Sequence, residues 1–276
     1  MITLFKFMSY LPLWLLHAQG WVLGWLAFVF SGVYRRRFVS HARLAGLSMS
    51  SWLAAVGESG KLVLELPRLW LGRPVSVFWD GAEHVDAALA QGRGIVFLTP
   101  HLGCFEITAQ AYAQRYGVTG KPMTVLFRPP RQTWLRAVVQ ASRQRPGLLT
   151  APTTLSGVKQ MIKALKNGES VGLLPDQVPP QGMGVMAAFF GQQAYTMTLS
   201  VRLVQQTGAS VLLAWGERLS WGRGFRVHVQ PLNVELPATL PEAVSAINHA
   251  MESLVMQCPQ QYLWGYARYK QPRATL

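Results

Sequence analysis

The chain has 276 residues, half of them hydrophobic and only 14% charged, so it makes one large domain or two small ones with ample core. Its 26 lysines and arginines against 12 acids give a net charge of +14, which points to polyanionic partners: nucleic acid, an anionic membrane surface or phosphorylated substrates. The two cysteines, Cys104 and Cys258, exclude a disulfide framework and form no metal pair of recognised spacing, so a reducing compartment is expected.

No charged residue occurs from Leu11 to Phe30. As a helix that stretch is about 30 Å long, enough to cross a hydrocarbon core. Trp14, Trp21 and Trp25 suit interfacial or lipid-facing positions, whereas His17, Gln19 and Gly20 lower the hydrophobicity and leave a helix lying along the surface open. Arg35, Arg36, Arg37 and Arg43 follow, which by the positive-inside rule puts the rest of the chain in the cytoplasm. With a weak n-region and no small-x-small site, the segment reads as an uncleaved membrane anchor over residues 1–34. A single catalytic domain is expected over residues 35–276.

Residues 38–72 read as helical, ending at Pro67 and Gly72. The fragment Gly57-Glu-Ser-Gly-Lys61 has the look of a phosphate loop, but it lacks the first glycine, and Leu62 stands where Ser or Thr is needed. From residue 75 strands and helices alternate. Strands are expected at Val75–Trp79, Ile95–Thr99, Pro122–Phe127, Ser170–Leu174, Val211–Trp215 and Phe225–Val229. Helices are expected at Ala82–Gln91, from after His101 to Tyr116, and at Thr133–Arg145, Leu155–Lys166, Thr196–Thr207 and Pro241–Cys258. Such alternation predicts an α/β fold, a mixed sheet covered by helices, with functional groups at strand-to-helix turns.

Three of those turns carry polar residues that a core does not require. After the most apolar strand come Pro100 and His101, with Glu106 one helical turn onward. A carboxylate there can accept from one ring nitrogen, fix the tautomer and leave the other nitrogen as a general base. The spacing is weak by itself; a strand-end histidine with one local hydrogen bond and an ordinary first-turn acid explains it equally well. The second turn, Phe127-Arg128-Pro-Pro-Arg131, holds two guanidinium groups on extended backbone, and the third is Leu174-Pro-Asp176-Gln177. Taken singly, the arginines read as solvated charges and Asp176 as a turn residue. If the strands are neighbours, His101, Glu106, Arg128, Asp176 and Arg143 converge on one edge. Cys104 reads as a small buried hydrophobe rather than a nucleophile.

These residues, in this order, resemble the late acyltransferases of lipid A biosynthesis, within the lysophospholipid acyltransferase-like group. The resemblance rests on His101-x4-Glu106 with the preceding Gly94-Ile-Val-Phe, on Phe-Arg128-Pro, on Ser-Arg143-Gln-Arg145 and on Gly157 to Glu169. Pro175-Asp176-Gln177 and Pro259-Gln-Gln-Tyr262-Leu-Trp264-Gly-Tyr-Ala-Arg268 complete it, from about residue 75 to the C-terminus. It implies an inner-membrane enzyme facing the cytoplasm, moving a fatty acyl chain from acyl carrier protein onto a hydroxyl of a 3-hydroxyacyl chain on a Kdo-bearing lipid A precursor. His101 and Glu106 take the catalytic pair, Arg143 and Asp176 supporting catalytic positions, and Arg128 and Arg131 substrate binding; no cofactor or metal is implied.

The chemistry is consistent with that. An alcohol attacking a thioester needs a base, worth about 10²–10⁴ in rate. The tetrahedral oxyanion needs donors, which Arg128, Arg143 or the backbone N–H groups after Pro100 can supply. No Gly-x-Ser-x-Gly elbow is present, so direct transfer is expected. The alternatives are a glycerolipid (lysophosphatidate-type) acyltransferase, which shares His-x4-acid, and a non-catalytic basic membrane-attached binding protein. A nucleic-acid partner is not expected, because the aromatics are not interleaved with Lys and Arg as stacking platforms.

Overall fold

The computed structural model describes residues 2–127 and 145–272. The N-terminal part is a run of helices, α1 (Ile2–Tyr10), α2 (Leu13–Phe30), α3 (Gly32–Leu44), α4 (Met49–Leu64) and α5 (Leu66–Leu71). Pro12 stands immediately before α2, where the helix does not need its missing N–H. The single helix expected over 38–72 is three. Gly46 (φ +73°) breaks the first from the second, and Pro67 sits in the first turn of the third.

Helix α2 is, among the described residues, the one long and apolar enough to cross a membrane, with a mean hydropathy of 1.5 over 18 residues. One face of it is held against α4 by glycines. A Cβ on Gly24 would overlap the Val56 carbonyl oxygen, one on Gly60 the Gly20 carbonyl oxygen, and one on Gly57 the Trp21 indole. The two backbones therefore approach more closely than ordinary side chains allow. The opposite face leaves Trp14, Val22, Leu26, Val29 and Phe30 exposed.

The strands are β1 (Val77–Asp80), β2 (Ile95–Leu98), β3 (Met123–Phe127), β4 (Leu148–Pro152), β5 (Ser170–Leu173), β6 (Gly184–Phe189), β7 (Gln192–Met197), β8 (Ser210–Arg218) and β9 (Phe225–Pro231). Among the described residues, seven of them form one sheet in the order β1-β9-β8-β2-β5-β3-β4, parallel throughout except for the β8–β9 pair. The expected mixed α/β sheet is what forms. Strand β2 lies at its centre with all four residues buried. Ile95 and Phe97 enter the core under α6 (Ala82–Ala90) and α7 (Phe105–Arg115). Val96 and Leu98 enter the core on the other face, which takes in α8 (Leu155–Lys166), α9 (Leu199–Thr207) and α10 (Leu240–Gln257). Burial on both faces explains why β2 reads as an unbroken apolar run rather than an alternating one.

Two features depart from the sequence expectation. Strand β4 occupies the sheet edge and ends at Pro152, where no further ladder donor is needed. Strands β6 and β7 form a separate antiparallel hairpin, so the helix expected from Thr196 begins at Leu199. The hairpin turns through Phe190 (φ +47°) and Gly191 (φ +75°). The strained Phe190 is held by its N–H donating to Glu252 on α10 at 2.6 Å. The helix expected at Thr133–Arg145 falls, except for Arg145, outside the described residues.

Candidate active site

The site follows from the central pairing. Strands β2 and β5 are parallel neighbours with Leu98 opposite Leu173, and the Thr99 N–H extends the ladder to the Leu173 carbonyl at 3.0 Å. The loops after the two strands therefore leave the sheet side by side, carrying His101 and Asp176. The His101 ring Nδ1 lies 2.7 Å from Asp176 Oδ1, and the His101 backbone N–H donates to Asp176 Oδ2 at 2.8 Å. Both carboxylate oxygens contact His101, which fixes the ring's position as well as its tautomer.

Asp176 is itself almost inaccessible, at 2% exposure. Burial raises its pKa, but the charge and hydrogen bonds of His101, with Arg268 beyond, outweigh burial and hold the carboxyl below its ordinary value. Arg268 is fixed in turn by donating to the Tyr195 carbonyl at 2.8 Å and to Thr196 Oγ1. The C-terminal stretch closes the back of the site: the Leu263 N–H donates to the His101 carbonyl at 3.1 Å, and Leu102 bridges Tyr262. Burial pushes the Tyr262 hydroxyl well above its usual pKa, with the Asp176 charge acting in the same direction.

With Nδ1–H directed at Asp176, the other ring nitrogen, Nε2, carries the lone pair. It sits 2.9 Å from Gln177 Nε2, so the carboxamide donates to it. His101, Glu106, Gln177 and Val178 line an open cleft of about 330 Å³. A second, much smaller apolar cavity shares Phe105, Ala109, Val125, Gly172, Leu173 and Leu174 with it.

The carboxylate on the ring is thus Asp176, where the sequence expectation had Glu106. The expected pairing ran through local spacing along α7, whereas the contact is made across the sheet by two adjacent parallel strands. Glu106 stands on the first turn of α7 at the cleft wall and accepts from Trp70 Nε1 at 3.4 Å. Its charge opposes the burial that lowers the Arg145 pKa. A second expectation is narrowed. The N–H groups of His101, Leu102, Gly103 and Cys104 go to Asp176, Pro100, Gln261 and Gly216 respectively, so none of these four is available to an oxyanion. Gly103 adopts φ +58° and lies against the Gly216 carbonyl, both of which the absence of a Cβ allows. Cys104 is fully buried and its thiol pushed up in pKa by that burial, as a small core residue would be.

Arg128, Arg131 and Arg143 lie outside the described residues. Among the described residues no three His, Cys, Asp or Glu side chains gather to hold a metal ion. The Gln177 contact was not expected; its signal was adjacency to Asp176 at a strand end, which says nothing about which way a carboxamide points.

Residues 61–271 match the model of the bacterial lipid A biosynthesis acyltransferase family. The lipid A biosynthesis lauroyltransferase of Escherichia coli (strain K12) is 29% identical over 195 residues, 69% of this chain and 60% of that protein. The lipid A biosynthesis palmitoleoyltransferase of the same organism is 24% identical over 192 residues, 69% of this chain and 60% of that protein. A phosphatidylinositol mannoside acyltransferase of Mycobacterium tuberculosis (strain CDC 1551 / Oshkosh) is 28% identical over 190 residues, 65% of this chain and 57% of that protein. The matched part of this chain spans about 60% of the length of the lipid A relatives.

Proposed function

We propose that this chain, which belongs to the bacterial lipid A biosynthesis acyltransferase family, transfers a fatty acyl chain from an acyl carrier protein thioester to a hydroxyl of a 3-hydroxyacyl chain on a Kdo-bearing lipid A precursor. The observation that carries this reading is the His101–Asp176 pair, buried on its carboxylate side and opening on its Nε2 side into a cleft with an apolar annex.

In the forward step the acceptor hydroxyl gives its proton to His101 Nε2 as its oxygen bonds to the thioester carbonyl carbon. Asp176 stabilises the imidazolium that forms. The C–S bond then breaks, and the sulfur leaves with the proton returned from Nε2. No acyl-enzyme is needed, and Cys104, the nearest thiol in sequence, is sealed in the core. The N–H groups of residues 101–104 are committed elsewhere, and Arg128 and Arg143 are the oxyanion donors that the family resemblance suggests. Arg131 is assigned to the phosphorylated acceptor. Glu106, at the cleft wall, is assigned an electrostatic role toward cationic groups at the rim. The apolar wall of the cleft, with Phe105, Val125, Leu126 and Leu173, is suited to the start of a fatty acyl chain.

The net charge of +14 fits two anionic substrates, a phosphorylated glycolipid and an acidic carrier protein. Helix α2, apolar on its outward face, with Arg35, Arg36 and Arg37 following, supports attachment to the cytoplasmic face of the inner membrane. The similarity to a phosphatidylinositol mannoside acyltransferase favours one second reading, in which the acceptor is a glycosylated glycerophospholipid and the base chemistry is unchanged.

The test is mass spectrometry of reactions holding purified protein, acyl carrier protein thioesters of mixed chain length, and either acceptor. A gain of one acyl chain on the Kdo-lipid A precursor, abolished by His101→Ala, is the expected result. A gain only on the glycerophospholipid selects the second reading, and no gain on either refutes both.

A further inference from the structure

A base poised against a thioester also activates water. The productive step and hydrolysis differ only in which O–H reaches Nε2. In hydrolysis a water gives its proton to Nε2 while its oxygen bonds to the carbonyl carbon. The C–S bond breaks, the sulfur takes the proton, and a free fatty acid and free thiol are released. With the cleft open to solvent beside His101, suppression of that reaction needs a group at Nε2 whenever the acceptor is absent.

Gln177 is placed there. Its carboxamide N–H donates to Nε2 at 2.9 Å, and Asp176, the residue before it, fixes the ring from the other side at 2.7 Å. The two partners follow one another in one turn, so the segment that orients the base also covers it. The next residue holds the turn in place, because the Val178 N–H donates to the Tyr266 hydroxyl at 2.9 Å. Gln177 is only half-buried and is itself a cleft residue, so its side chain can swing aside without disturbing the core. A carboxamide suits the task chemically. It donates to a neutral imidazole through a single hydrogen bond that is readily exchanged, and it carries no charge that would keep the ring protonated.

We infer that Gln177 is a displaceable cap on the general base, which occupies His101 Nε2 until an acceptor hydroxyl replaces it and so restrains hydrolysis of the thioester. This rests on the acyl-transfer reading above and assigns a positioning role to a residue that does no bond-making.

The experiment measures free thiol released from acyl carrier protein thioester without acceptor, and acyl transfer with acceptor, for the full chain and two variants. Gln177→Ala is expected to raise hydrolysis about 2- to 10-fold, the equivalent of one lost hydrogen bond, and to raise the ratio of hydrolysis to transfer. Gln177→Glu keeps the shape but replaces the donor by acceptor oxygens. It calls for a proton on Nε2 and is expected to depress both reactions. A purely structural role predicts that Gln177→Ala lowers both reactions together and that the isosteric Gln177→Glu behaves as wild type, and either result overturns the proposal. Ring ¹⁵N spectra of the substrate-free protein separate this from failure of the transfer reading. If no substrate reacts, the transfer reading fails, while an unchanged His101 Nε2 resonance in Gln177→Ala refutes the contact on which the cap depends and a changed one supports it.

Discussion

Two buried histidine–carboxylate pairs adjoin the β2–α7 loop, and their surroundings differ. His17 on α2 meets Glu65 at 3.2 Å, and Glu65 is gripped by Arg218 through Nε at 2.7 Å and Nη2 at 3.0 Å. Arg218 also donates to the Gly103 carbonyl at 2.6 Å. His101 meets Asp176 at 2.7 Å, and among the described residues no guanidinium hydrogen-bonds to the carboxylate. Both carboxylates are sealed, with side-chain exposures of 0% for Glu65 and 2% for Asp176. What separates the pairs is the far side of the ring. The second nitrogen of His101 opens on a cleft, whereas His17 packs its ring edge-on to Phe225 in the interior. A buried His–carboxylate pair is therefore no sign of catalysis in itself. A route from the free ring nitrogen to a substrate-sized space is the discriminating feature.

The largest effect should come from attacking the pair proposed to be catalytic without unfolding it. Asp176→Asn preserves shape, but its carboxamide can turn an N–H toward Nδ1, which favours the tautomer with the proton on Nε2. The lone pair then faces the wrong way, as in the serine-protease triad, where the same substitution costs about 10⁴ in kcat. A fall in kcat of about 10²–10⁴, with an unchanged thermal midpoint, is the expected outcome in steady-state assays. Retained activity would break the distinction between the two pairs.

The other cluster should answer in stability instead. Removing the guanidinium with Arg218→Met leaves Glu65 buried and uncompensated, which costs about 3–5 kcal/mol. Denaturant titration should show that loss, and the folded fraction should keep far more of its kcat than Asp176→Asn does. Acid gives the same information without mutation. Burial alone would raise the Glu65 pKa, but Arg218 and His17 overcome it and bring it from an ordinary 4.5 down to about 2. Because the folded value is the depressed one, the contribution is fully present above about pH 4.5 and disappears as pH falls toward 2. It amounts to about 3 kcal/mol, an order-of-magnitude figure. Denaturant midpoints measured between those limits should fall in wild type and flatten in Glu65→Gln.

The contrast also explains what could be read in the sequence. The central strand, the strand-to-helix alternation and the arrival of His101 and Asp176 at strand ends are all written in local pattern, and the sheet bears them out. Which carboxylate reaches the histidine is not local. Glu106 is five residues away and Asp176 seventy-five, and only the β2–β5 pairing decides between them. The β6–β7 hairpin escaped because its turn uses Phe190 at positive φ, a residue type that does not advertise a turn. The Glu65 cluster escaped for a similar reason: Arg218 and Glu65 are 153 positions apart, and nothing near either residue distinguishes them from surface charges.

The smallest effect tests whether α2 belongs with the helices behind the site rather than merely trailing from them. His17 is on α2 and Glu65 directly follows α4, so the ionic cluster depends on the two helices keeping their close spacing. That spacing is set where Gly60 faces the Gly20 carbonyl and the Gly24 backbone. Gly60→Ala improves helix propensity by about 1 kcal/mol, so an isolated α4 would gain. In the folded chain the added methyl has backbone in front of it rather than a flexible side chain, and overpacking of that kind costs about 1–3 kcal/mol. The two terms oppose each other, and the net expectation is a loss of at most about 2 kcal/mol in denaturant titration. If α2 were loosely attached it would shift aside, the propensity gain would stand alone, and the variant would be more stable than wild type. A measured stabilisation would therefore detach α2 from the domain, and with it the assignment of His17 to the structural pair.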